Sequence, residues 1–321
     1  MVNPKYTFLL PAFKGCYLDE MLRSIQGQTY TDFKVIISDD CSPEDLLSIC
    51  QPYLADPRFE YRRNEKNMGG LSLVSHWNLL VSLCDTEWLI MASDDDVYDL
   101  RFLEEVDSLI GRYPQIDIAR AKMCYTSMEG VLTCTDMILN EYESQLEFIH
   151  DNYCNYRLTC IANYVFRTRR LNEIGGFTDF PLAWGADQAT CMQMAANGCV
   201  NTQRTLLKFR LSGLNITTQK SAYIATRKIE AVLSLDKWIK NYLDSLPHPT
   251  SPEEQYYMRC CIDGTNYGMS IWHLLKFAPL SVLWRIKGEL RVRGYWSGSN
   301  LLLLLVWKAK NIAVHHLKVR W

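Results

Sequence analysis

Residues 88–98 read WLIMASDDDVY. The apolar run Trp88–Ala92 predicts a buried strand. Directly behind it stand three consecutive carboxylates, Asp94, Asp95 and Asp96. Such neighbours repel and raise one another's pKa unless a cation neutralises them. Oxygen ligands with no His or Cys close by suit Mg²⁺ or Mn²⁺. The plainer alternative is a solvated acidic turn that caps the helix opened by LRFLEEV.

Outward from this stretch the pattern alternates. Tyr6–Leu10 reads as a strand stopped at Pro11. In YLDEMLRSIQGQ, Leu18, Met21, Leu22 and Ile25 recur at helical spacing before Gly27. Lys34–Ser38 and Phe59–Arg63 read as strands, and Pro43–Cys50 and Leu71–Leu83 as helices. Strands alternating with helices predict an α/β chain with a mainly parallel, doubly wound sheet. Ligands of such sheets bind beyond the carboxyl ends of the strands. Besides the triplet, those ends carry Pro11, Ala12 and Phe13 after the first strand, and Asp39 and Asp40 after the second. The Asp39–Asp40 pair is either a turn with a cap or an acceptor for a base N–H or a ribose hydroxyl. Asn67-Met68-Gly69-Gly70 precedes a helix and permits close backbone approach to a ligand. Neither a dinucleotide fingerprint nor a P-loop is present.

The second half is less regular. Asp117–Cys124, Val131–Thr135, Leu158–Phe166 and Leu206–Arg210 predict strands, and Asp187–Ala196 a helix. From Ala222 the chain reads as helical, broken by a surface loop at 246–252. His76 reads as a packed helix residue.

The chain has 321 residues, 48% hydrophobic and 22% charged, enough for a sizeable core and against dominant disorder. A formal charge of −2 gives no global field for nucleic acid. The charge is uneven, however: Lys276 to Trp321 holds nine Lys/Arg and one acid, Glu289. Lys308, Asn311, His315 and Lys318 share one helical face and Val306, Ala309, Ala313 and Leu317 the opposite one. This reads as an element that lies on an anionic membrane, or as an ordinary C-terminal helix packed on its domain. Twelve cysteines without a CxxC pair point to reduced thiols and a cytosolic setting. The N-terminal apolar stretch is too short for a signal peptide. The longest apolar run, Leu301–Trp307, is far below the ~20 residues of a spanning helix.

Taken together, LLPAFKG, YLDEMLRSIQGQTYTDFKVIISDDCSPED, NMGG and WLIMASDDDVY resemble the nucleotide-binding half of an inverting family 2 glycosyltransferase of the GT-A fold. The resemblance runs from about residue 5 to about residue 215. It implies a GT-A domain over 1–215, with a nucleotide-sugar half at 1–99 and an acceptor half at 100–215, and a helical C-terminal region at 216–321. It further implies transfer from a nucleoside diphosphate sugar, such as a UDP-sugar, to an acceptor hydroxyl; a glycan or lipid-linked acceptor is expected, the latter because it fits the membrane reading of the tail. Asp94, Asp95 and Asp96 match the family's metal motif, which implies Mn or Mg. Donor contacts are then expected from Pro11, Phe13, Asp39, Asp40, Asn67, Gly69, Asp94, Asp95 and Arg210. IGGF at 174–177 followed by PLAWGADQATCMQMAANG resembles the acceptor-side segment and makes Asp187 the general base. The family often has Glu-Asp there; this chain has Ala186-Asp187, which leaves the role to Asp187 alone. Trp184 either stacks on a sugar face or packs in the core. Two other readings remain: a non-catalytic sugar-binding or assembly subunit, which needs no base, and a sugar nucleotidyltransferase, whose Gly-rich basic loop residues 11–15 do not supply.

Overall fold

The computed structural model describes residues 4–318, with side chains at 4–264 and 266–310. The chain divides into two compact units, Met1–Asp179 with Ala186–Asn215, and Phe180–Gly185 with Ile216–Trp321.

The first unit is built on a ten-stranded sheet. Strands β1 (Tyr6–Ala12), β2 (Phe33–Asp39), β3 (Phe59–Arg63) and β4 (Trp88–Met91) run parallel in the order β3-β2-β1-β4. Parallel neighbours need crossovers, supplied by α1 (Leu18–Gln26), α2 (Leu46–Cys50) and α3 (Leu73–Ser82). Tyr6, Phe8, Leu9 and Leu10 of β1 are wholly buried, as a central strand covered on both faces requires. Helix α1 buries Leu18, Met21, Leu22 and Ile25, the stripe its spacing predicts. Phe8 meets the rings of Phe33 and Tyr98 edge-on, at 5.7 and 5.2 Å between centroids.

After β4 come β5 (Val97–Tyr98), α4 (Phe102–Arg112), β6 (Ile118–Thr126), β7 (Leu132–Thr135), β8 (Tyr142–Glu143), α5 (Gln145–Tyr153), β9 (Tyr164–Arg167), α6 (Thr168–Glu173), α7 (Ala186–Met194) and β10 (Cys199–Arg210). The sheet continues β4-β9-β6-β10-β5, with β7 beside β6 and β8 beside β10. Here it is mixed: β9 is antiparallel to both neighbours, and β5 is antiparallel to β10. The strand expected over 158–166 shrinks to β9. Upstream of it the Leu158 amide donates to Asp136 Oδ1 and the Cys160 amide to Asn163 Oδ1, so side chains take the place of a ladder. Strand β10 starts at Cys199, well before Leu206. Its polar stretch Asn201–Arg204 crosses a register shift against β6, which hides the apolar alternation.

The Gly-Gly-Phe turn after α6 holds its shape for a local reason. Gly176 has φ +84°, and a Cβ there would lie 2.5 Å from Asn78 Oδ1. That oxygen accepts from the Phe177 amide at 2.7 Å, and Asn78 Nδ2 donates to Phe177 O at 3.1 Å. Gly176→Ala adds left-handed strain and displaces this clamp. It is expected to cost about 1–3 kcal/mol, read as a lower denaturant midpoint at unchanged slope.

The second unit is helical: α8 (Ala222–Ser245), α9 (Pro252–Asp263), α10 (Thr265–Leu275), α11 (Leu280–Val292) and α12 (Gly298–Lys318). The break at 246–252 falls between α8 and α9. There Pro252 opens α9 and Ser251 and Glu254 form a reciprocal cap. Lys308 departs from the outward polar face read from the sequence. Its Nζ donates to the carbonyls of Lys276 (3.1 Å) and Ala278 (2.7 Å), just past the end of α10, where a cation is favoured. Leu302, Leu303 and Val306 stay 64%, 66% and 59% exposed. The side chains of Asn311, Ala313, His315, Leu317 and Lys318, on which the rest of the two-faced reading depends, lie outside the described residues. Among the described residues, no helix is long and apolar enough to cross a membrane. Among the described residues, none of the twelve cysteines forms a disulfide.

Candidate active site

The turn behind β4 brings the triplet against two other segments of the first unit: the loop after β1 and the segment after β10. Asp94 Oδ2 accepts the backbone amides of Phe13 (2.9 Å) and Lys14 (2.8 Å). The Lys14 ammonium lies 2.9 Å from Asp94 Oδ1 and 2.8 Å from Asp95 Oδ2. Asp95 Oδ2 also accepts from Ser212 Oγ (2.8 Å) and Asn215 Nδ2 (3.2 Å). Asp96 is wholly buried. Its Oδ1 accepts the Arg210 amide at 3.1 Å, while its Oδ2 has no hydrogen-bond donor. Burial, aided by the charge of Asp95, pushes the Asp96 carboxyl well above the ordinary carboxylate range. Burial also raises Asp94, against the opposing pull of Lys14. For Lys14 itself burial works downward, but Asp94 and Asp95 together outweigh it, so the ammonium is held more firmly than usual.

The end of β2 turns its carboxylates inward. Asp39 accepts from the Ser42 amide (2.8 Å), Tyr61 Oη (2.6 Å) and Arg63. Asp40 accepts from Asn64 Nδ2 (2.9 Å) and from the amides of Met68 (2.9 Å) and Gly69 (2.7 Å). A Cβ on Gly69 would sit 2.9 Å from Asp40 Oδ2, so this glycine's close approach is to the carboxylate. Asn67 Oδ1 closes the same turn on the Gly70 amide. His76 is more than a packed helix residue: its Nε2 is 2.9 Å from Ser38 Oγ and its Nδ1 is 3.6 Å from Asp40. Burial pulls its pKa below the usual value, which keeps the ring neutral at pH 7. Pro11 is half-buried and Phe13 is exposed beside the amides that hold Asp94.

Asp187 stands in the first turn of α7, its Oδ1 accepting the Gln188 amide at 2.9 Å. Among the described residues it has no ion-pair partner. Part of its surface stays open, yet the protein packed around the carboxyl desolvates it and raises its pKa. The Cys160 thiol, pushed up first by burial, is raised further by the charges of both Asp96 and Asp187. Arg210 is committed elsewhere: Nε donates to Asp95 O (3.2 Å), one terminal nitrogen to Met128 O (2.9 Å) and the other to Glu20 (2.6 Å). Its guanidinium also lies 4.4 Å from the Tyr17 ring centroid. Trp184 belongs to the second unit, where the Lys228 ammonium lies 4.4 Å from its ring centroid.

Sequence reasoning missed Lys14, Glu20, Ser212, Asn215 and the link from His76 to Asp40. Lys14 carries the clearest signal in retrospect, a cation in the loop after a buried strand whose neighbour ends in carboxylates. Ser212 and Asn215 follow β10 with no pattern to mark them.

A mixed sheet with helices on its faces and an acidic triplet at the carboxyl end of β4 is an arrangement of the GT-A type. Residues 7–128 match the family model for glycosyl transferase family 2. The poly(ribitol-phosphate) beta-N-acetylglucosaminyltransferase TarS of Staphylococcus aureus is 25% identical over 130 residues, 40% of this chain and 22% of TarS. The glycosyltransferase GlyG of Streptococcus pneumoniae is 25% identical over 112 residues, 32% of this chain and 36% of GlyG. The chain therefore aligns with well under half of either relative. The crystal structure of S. aureus TarS 1–349 with UDP-GlcNAc superposes with a TM-score of 0.59 at 15% identity, covering 96% of this chain and 92% of that one. The mannosyltransferase PcManGT of Pyrobaculum calidifontis, with GDP-Man and Mn²⁺, gives 0.56 at 11% identity, covering 97% and 81%. These two likenesses are of fold.

Enzymes of the GT-A fold generally use a divalent metal, and the mannosyltransferase holds Mn²⁺. Among the described residues no group of three or more His, Cys, Asp or Glu side chains is arranged to hold a metal ion. Asp96 Oδ2 nevertheless fits one: it is a buried carboxylate oxygen without a donor. Asp94 and Asp95 are all-oxygen ligands of the right hardness, currently paired with Lys14.

Proposed function

We propose that the chain is an inverting glycosyltransferase that moves a sugar from a nucleoside diphosphate sugar to a hydroxyl of a glycan or lipid-linked acceptor. The observation that supports this best is the acidic triplet behind β4, where the wholly buried Asp96 keeps an oxygen without a donor, within the stretch that matches the family 2 glycosyltransferase model. Asp187 takes the proton from the acceptor oxygen as that oxygen attacks the anomeric carbon; its raised pKa suits a base. Asp96, with Asp94 and Asp95, would hold a divalent ion, Mn²⁺ or Mg²⁺, which neutralises charge on the leaving diphosphate when bound. Asp39, Asp40, Asn67 and Gly69 shape the nucleoside side, and Pro11 and Phe13 flank it. Arg210 braces the triplet from behind, a role in keeping with its committed nitrogens. Incubation with a panel of UDP- and GDP-sugars, Mn²⁺ and glycan acceptors tests the reading. Acceptor-dependent release of one nucleoside diphosphate is expected; release of pyrophosphate from a sugar phosphate and a nucleoside triphosphate would instead favour a nucleotidyltransferase.

We also propose that the second unit lies on an anionic membrane on the cytosolic side. Supporting this are the exposed Leu302, Leu303 and Val306 of α12 and the cations Arg285, Lys287 and Arg291 of α11 in the same unit. Replacing Leu302, Leu303 and Val306 together by Ser should leave the helix folded, since these side chains already face water. Flotation with anionic vesicles is expected to fall sharply, and added salt should weaken binding of the parent chain too. Equal flotation of both chains contradicts the proposal.

A further inference from the structure

We propose that Lys14 is the resident counter-ion of the acidic triplet, and that a divalent ion binds there only by displacing its ammonium from Asp94 and Asp95. The inference rests on the triplet being the metal site of the proposed transferase, and it concerns what the metal must compete with.

The geometry is specific. Among the described residues, every ion pair of Asp94 and Asp95 goes to the Lys14 ammonium, at 2.9 and 2.8 Å. The other cation close by, Arg210, gives Nε to the backbone carbonyl of Asp95 and a terminal nitrogen to Glu20, so it offsets no triplet carboxylate. The Lys14 backbone is pinned as well, because its own amide and that of Phe13 are both held by Asp94 Oδ2. The ammonium is therefore tethered to the site and cannot diffuse away as a solvent cation would.

One positive charge faces three carboxylates, and its ion pairs reach two of them, Asp94 and Asp95. Asp96, wholly buried with Oδ2 undonated, is left for a second cation. A divalent ion drawn to Asp96 meets the ammonium already seated on Asp94 and Asp95, and like charges at that range repel. Two consequences follow. Metal alone binds weakly. A nucleoside diphosphate relieves the conflict, because its diphosphate offers the displaced ammonium a new anionic partner beside the metal. Metal and diphosphate then strengthen each other's binding, by the same factor in either order.

Calorimetric titration of the full chain with MnCl₂, alone and with saturating UDP or GDP, tests this without an activity assay. For the parent chain, weak Mn²⁺ binding that tightens with one of the nucleotides is expected. Lys14→Met keeps the stem and removes the charge, so it is expected to bind Mn²⁺ alone about tenfold or more tightly and to lose most of the coupling. Lys14→Arg, still cationic, should stay close to the parent. Equal Mn²⁺ affinity in the parent and Lys14→Met overturns the proposal and leaves the metal site standing. Absence of Mn²⁺ binding in both removes the metal site, and this inference with it. The coupling measured on the parent chain needs no variant: Mn²⁺ binding indifferent to both nucleotides also overturns the proposal, whether or not Lys14→Met folds.

Discussion

Asp187→Asn is expected to lower the single-turnover rate of sugar transfer by ~10²–10⁴, the usual cost of losing a general base, while the donor dissociation constant stays near the parent value. Asparagine keeps the size and the acceptor oxygen that receives the Gln188 amide, so the first turn of α7 keeps its hydrogen bond. What it removes is basicity. The parent's pH profile carries the same signature. Burial raises the Asp187 pKa, so activity should fall on acidification at a higher pH than an ordinary carboxylate would dictate. Stability runs the other way. A carboxyl whose folded pKa is raised stabilises the fold while protonated and loses that contribution as pH rises through the folded value. Asp187→Asn should therefore be neutral or stabilising near pH 7 while nearly inactive. A pure helix cap would give the opposite pair, normal activity with unchanged or reduced stability.

Asp96→Asn separates the metal from the fold. The variant retains an oxygen for the Arg210 amide and removes a buried negative charge that nothing directly offsets on Oδ2. The unliganded chain should melt at or above the parent temperature. Donor binding in the presence of Mn²⁺ should weaken by at least ~10–100-fold, the loss seen when even an outer partner of a metal ligand is removed. With EDTA present the two chains should bind donor alike. A variant that binds donor and Mn²⁺ as the parent does would take Asp96 out of the metal site.

The first half of the fold was legible because each of its elements is locally decided. Phe59–Arg63 is a strand in both sequence and structure, and the α1 stripe lands on the core residue for residue. The second half depends on distant partners. Nothing within Leu158–Asn163 announces that Asp136 and Asn163 side chains will take its amides. Nothing in Asn201–Arg204 shows that a register shift carries it along β6. The candidate site divides the same way. The triplet, the Asp39–Asp40 pair and Asp187 stand out as carboxylates at strand and helix ends. The side chains that govern them, Lys14, His76, Ser212 and Asn215, meet them only through the sheet's topology. Asp39 and Arg210 show the reverse: expected to face a donor, both have their polar atoms engaged by the protein.

The most direct measurement of the central claim is donor binding by the unmodified chain. Titrate UDP- and GDP-sugars into it by calorimetry, once with Mn²⁺ and once with EDTA. The account predicts saturable binding of one donor with Mn²⁺ that collapses with EDTA, and a matching rise in thermal midpoint with donor concentration. Failure of every nucleotide sugar to bind or stabilise the chain with Mn²⁺ present would contradict it.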